Sequence, residues 1–89
     1  MRNMDKVINV NILGGTDINI YHSKNCGCYA ISSYLDIKLS YNKKGVYRVT
    51  SGTTCKHGSF RKLDRDELRV ITEAINEAIE NNRCEVLYE

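Results

Sequence analysis

The 89-residue sequence contains no proline and no tryptophan. Without proline, and without runs of glycine or serine, nothing in it reads as a linker. The length suits one domain, residues 1–89, built around one core. No stretch approaches the ~18 apolar residues of a membrane helix. The charged residues 1–6 precede an alternating segment, residues 7–13, too short and too polar for the apolar part of a signal peptide. A cytoplasmic protein is expected, its four cysteines reduced or metal-bound rather than disulfide-paired. A secreted, disulfide-stapled mini-protein is the alternative.

Chemistry-bearing signatures are equally scarce. There is no paired-carboxylate pattern and no cofactor fingerprint, and Gly14-Gly15 lacks the following helix that a phosphate loop requires. One helix and short strands leave little room for a pocket of ~300 Å³ or more. His22 falls where a strand-end residue packs, and Cys55 with His57 has no third orienting group. No enzyme is expected.

What is present is rhythm. Hydrophobic residues make up 42% of the chain and charged residues 27%, as in ordinary globular domains. Ile8, Val10 and Ile12, then Ile18 and Ile20, alternate with polar positions and predict a hairpin over residues 7–22. A three-residue loop would set Ile12 opposite Ile18 and Val10 opposite Ile20. Alternation resumes at Tyr29, where Tyr29, Ile31, Leu35, Ile37, Leu39 and Tyr41 share one parity. That spacing predicts one long strand, with Tyr34 and Lys38 on its other side. Its partner is residues 46–51. A loop of Lys43, Lys44 and Gly45 puts Tyr41 opposite Tyr47, Leu39 opposite Val49 and Ser40 opposite Arg48.

A helix follows, opened by Asp64 as N-cap with Glu67 as its capping-box partner, and by Leu63 and Leu68 at staple positions. Leu68, Ile71, Ile75, Ala78 and Ile79 form its apolar stripe, ending near Asn81 or Asn82. Residues 84–88 read as a last strand. The fold class is α+β: an antiparallel sheet, in chain order ββββαβ, packed on one amphipathic helix.

Charge is spread unevenly around a net +2. Residues 38–69 carry a net +6 and residues 70–89 a net −4. Lys38, Lys43, Lys44 and Arg48 gather on one hairpin, with Lys56, Arg61 and Lys62 after it. Such clusters neutralise phosphates and release counterions, so nucleic acid or another acidic surface is the first expected partner. The plainer meaning is a solvated, solubilising face. Glu73, Glu77 and Glu80 make an acidic helix face that suits a protein partner, as in a phage or mobile-element inhibitor of a host factor. The last strand, if it lies at a sheet edge, suits strand addition to a partner or a second copy. Cys26, Cys28, Cys55 and His57, two i, i+2 pairs, are the only set that would hold zinc. Free cysteines packed as small apolar side chains are the plainer meaning.

Overall fold

The computed structural model describes residues 4–12, 15–23, 27–32, 34–56 and 58–88. Strands β1 (Met4–Ile12), β2 (Thr16–Ser23), β3 (Gly27–Ile31), β4 (Leu35–Tyr41), β5 (Tyr47–Lys56) and β6 (Ser59–Lys62) precede helix α1 (Arg65–Glu80) and strand β7 (Cys84–Tyr88). All adjacent strands are antiparallel, in the order β6-β5-β4-β3-β2-β1-β7. The class and the order of strands, helix and final strand are those the spacing predicts. Among the described residues the sheet has seven strands rather than five. Among the described residues no helix is long and apolar enough to cross a membrane.

Local registers show where pattern and burial agree. In the β4–β5 hairpin, Tyr41 faces Tyr47, Leu39 faces Val49 and Ser40 faces Arg48, as expected. Gly45 takes φ +83°, and its N–H donates to the Asn42 carbonyl at 3.0 Å. Asn42 Oδ1 accepts from the N–H groups of Lys44 and Val46. In the first hairpin Val10 faces Ile18 and Ile8 faces Ile20, two residues from the expected register. A slip of two preserves parity, so the same apolar face forms.

Residues 29–41 are not one strand. Ser32 N–H donates to the Leu35 carbonyl at 2.8 Å, and Ser32 Oγ accepts from Leu35 N–H at 3.1 Å. Across that turn each residue faces one of opposite parity, as Ala30 faces Ile37, so the parity reverses. Ala30 and Cys28 therefore join Ile37 and Leu39 on the buried side, while Tyr29 and Ile31 sit beside Lys38 and Asp36 on the other. Tyr34 does not share the lysines' face: it packs on the core and hydrogen-bonds with Thr16 at 2.8 Å.

The core is formed by Ile8, Val10, Ile12, Ile18, Ile20, Ile37 and Tyr47 from the sheet and by Ile71, Ile75 and Ala78 from the helix. The helix begins with the expected capping box: Asp64 Oδ1 accepts from Glu67 N–H, and Glu67 accepts from Asp64 N–H. It ends at Asn81, with Asn82 at φ +60°. The helix contacts both β5 and β1, which have β4, β3 and β2 between them, so the sheet curls around its core. Strand β6 pairs only with residues 53–56 of β5. Next along that edge Leu63 N–H donates to the Gly52 carbonyl at 2.9 Å, and Tyr47 and Val49 meet the helix. Asn76 Oδ1 accepts from Tyr47 N–H at 3.0 Å, Asn76 Nδ2 donates to the Tyr47 carbonyl at 2.8 Å, and Thr72 Oγ1 accepts from Val49 N–H at 3.0 Å.

Asn76→Ala should lower unfolding free energy by about 1–3 kcal/mol in urea titration, because it strands two backbone groups of a residue only 2% exposed. Gly52→Ala should cost about 1–3 kcal/mol by the same measurement. A Cβ at Gly52 would lie 2.5 Å from Ile37 Cγ2 and 3.0 Å from the Asp36 carbonyl oxygen. A neutral result at either position would show that the β5 edge or this close approach relaxes freely.

Candidate nucleic-acid interface

The helix covers one face of the sheet and leaves the other uncovered. Side chains on the uncovered face follow from strand parity and form two rows. The first runs Val7, Tyr21, Tyr29, Lys38, Ser51 from β1 to β5. The second runs Glu85, Asn9, Asn19, Ile31, Asp36, Thr53, Lys62 from β7 to β6. Arg48 and Ser40 face each other beyond the first row. Tyr21 and Tyr29 stack with ring centroids 5.1 Å apart and planes 19° from parallel. Asn9 Nδ2 donates to Asn19 Oδ1 at 2.9 Å beside them. Phe60, 80% exposed, stands on the same face at the β6 edge.

Lys38, Arg48 and Lys62 thus share the helix-free face, with Lys43 and Lys44 at the exposed tip of the β4–β5 turn. Asp36 is the carboxylate among them, and Asp17 and Glu85 lie toward the opposite edge. Arg61 does not join this set. Its parity places it on the helix side, where it donates two 2.7 Å bonds to the carboxylate of Glu67. Lys56 ends β5, and its side chain lies outside the described residues. Sequence spacing missed Tyr21 and Tyr29 because it assigned Tyr29 to the buried parity. The signal that could have found them is the polar break after Ile31, which, read as a turn, aligns Ala30 rather than Tyr29 with the isoleucines.

Of the four metal-ligand candidates, the two that are described do not come together. Cys28 lies on the buried face at the start of β3, and Cys55 on the helix-free face near the end of β5, with β4 between them. Cys26 and His57 lie outside the described residues. Two facing segments would need Cys28 and Cys55 on one face, and the parity reversal between β3 and β4 leaves them on opposite faces. Among the described residues, no three His, Cys, Asp or Glu side chains are grouped to hold a metal ion.

Cys28 belongs to a different cluster. Its Sγ lies 3.5 Å from His22 Nδ1, and His22 Nε2 hydrogen-bonds with the Tyr47 hydroxyl. The Tyr41 ring packs against both His22 and Tyr47. Burial pushes the Cys28 thiol above its ordinary pKa. Burial, reinforced by Tyr41, Cys28 and Cys84, raises the Tyr47 phenol far above its ordinary value. Burial thus favours the protonated form of both groups.

Glu73, Glu77 and Glu80 line the exposed side of the helix. Glu73 lies 3.9 Å from Arg69, and Glu77 lies 3.8 Å from Arg83. Between α1 and the hairpin the structure opens a groove of about 910 Å³. The expectation of little room for such a pocket is not met: β6 stops short and leaves a channel along the β5 edge.

The hydrogen bonds from Arg61, with that from the Asp64 backbone, hold the Glu67 carboxyl down at about 2, below its ordinary 4.5. A depressed folded-state value means stability that is fully present above about pH 4.5 and lost as pH falls toward 2. Glu67→Gln should flatten that acid limb of the unfolding midpoint; an unchanged limb would show that Arg61 and the cap contribute nothing to acid stability.

Comparison with protein-family models, curated proteins and solved structures finds no match to this chain.

Proposed function

We propose that the protein is a non-catalytic nucleic-acid-binding protein whose helix-free sheet face takes a single strand. The stacked Tyr21–Tyr29 pair, with Lys38 next in the same row, carries this reading. Aromatic rings offer bases a sequence-tolerant stacking surface, and neighbouring cations meet the phosphates. Lys38, Arg48 and Lys62 supply charge on the face, and Lys43 and Lys44 extend it at the turn. Arg61 is spent on Glu67 and takes no part.

A second reading is a protein-interaction module, an inhibitor of a host factor or a strand-paired dimer. It rests on β7, an edge strand whose Val86 and Leu87 are 48% and 52% exposed, and on Glu73, Glu77 and Glu80 nearby in sequence.

Tyr29→Ala should weaken single-strand binding by about 1–3 kcal/mol, the value of one base stack. Lys43→Glu with Lys44→Glu should abolish a steeply salt-dependent affinity, whereas Arg61→Ala should leave it intact. Retention on immobilised single-stranded DNA or RNA across a salt series measures all three. A native protein that fails to bind at low salt excludes this function and favours the interaction module.

A further inference from the structure

The β4–β5 hairpin and the helix enclose a feature that the stacking face does not use. The groove of about 910 Å³ straddles the outer edge of β5 and is bordered by Arg48 on one side and by Arg65, Arg69, Thr72, Glu73 and Asn76 on the other. From Arg65 to Asn76 the helix advances about 16 Å, so the groove is a channel and not a dimple. Among the described residues, Arg48 and Arg65 make no ion pair. Arg69 is held only loosely, 3.8 Å from Asp66 and 3.9 Å from Glu73, with its side chain exposed. Glu73 is the carboxylate lining the groove.

The stacking face leads into this channel. Its first row ends at Ser51 of β5, and β6 begins pairing only at Thr53. A strand travelling from Tyr21 over Tyr29 and Lys38 therefore reaches the sheet's outer edge beside Leu63, whose N–H donates to the Gly52 carbonyl, and meets no further described strand there. Arg48 belongs to both surfaces, standing opposite Ser40 on the sheet and bordering the groove. We infer that the groove holds the continuation of the same single strand, with its phosphates on Arg48, Arg65 and Arg69. This rests on the stacking face being the primary site and extends its footprint from the sheet onto the helix. Arg65 and Arg69, one turn apart, present their guanidinium groups in line along the strand's path.

The test is fluorescence anisotropy of the full chain with labelled oligothymidylates of about four and about twelve nucleotides, within the site sizes common for such binders. Arg65→Ser with Arg69→Ser should leave the short oligonucleotide's affinity unchanged. For the long one it should reduce the slope of log affinity against log salt by about 1.4, at about 0.7 for each phosphate no longer neutralised. Arg65→Glu alone, at an exposed first-turn position that accepts an acidic residue, should weaken only the long oligonucleotide. An unchanged slope for the long oligonucleotide, with native binding intact and sensitive to the Lys43 and Lys44 changes, overturns the groove alone. Absence of any native binding removes both sites. Displacement of the long but not the short oligonucleotide by polyglutamate would assign the groove to an acidic polypeptide and overturn its assignment to nucleic acid. A duplex of equal length showing the same arginine dependence would overturn the single-strand assignment.

Discussion

The side-chain amide of Asn76 holds the architecture together by acting as a short piece of strand. It offers the Tyr47 backbone one acceptor and one donor, the pair that a neighbouring peptide would supply. Thr72 does the same for Val49 N–H, one helical turn away. Strand β6 is too short to reach this part of β5, so the helix completes the edge. A curled sheet with β5 and β1 both on the helix is the consequence. Burial adds the larger energy, but these bonds decide how the helix lies across the sheet.

Curling divides the molecule into two chemically different surfaces. Isoleucines and valines converge with Ile71, Ile75 and Ala78 inside. His22, Tyr47 and Cys28 are drawn into that interior and satisfy one another there, at the cost of keeping the thiol and the phenol neutral. The outer surface keeps the tyrosine pair, the asparagines and the cations. The same short β6 that obliges Asn76 to complete the edge also leaves the groove open beside it. Support for the fold and opportunity for binding thus share one cause.

Legibility varied with how local the determining interactions were. The second hairpin was readable because turn chemistry at Asn42 to Gly45 and burial of Leu39, Val49 and Tyr47 require one register. Asp64, Glu67 and the apolar stripe defined the helix for the same reason. The parity of Tyr29 was missed, since Tyr29 and Ile31 share their parity with Leu35, Ile37 and Leu39, and only the polar break between the two groups marks the reversal. That single reversal moved Tyr29 and Ile31 outward, turned Tyr34 inward and separated Cys28 from Cys55. Of the candidate basic residues, Lys38, Lys43, Lys44, Arg48 and Lys62 fell together, while Arg61 was claimed by the capping box.

By itself, the order of residues determined that an antiparallel sheet and one amphipathic helix must cover each other, because period-2 and period-3.6 patterns each leave one greasy side. It also determined where the positive charge concentrates. Only the tertiary structure decided which tyrosines meet outside, which arginine is consumed by a carboxylate, and that a channel follows the β5 edge. Those outcomes depend on strand order and on the length of one edge strand, which arise from contacts between residues far apart in the chain.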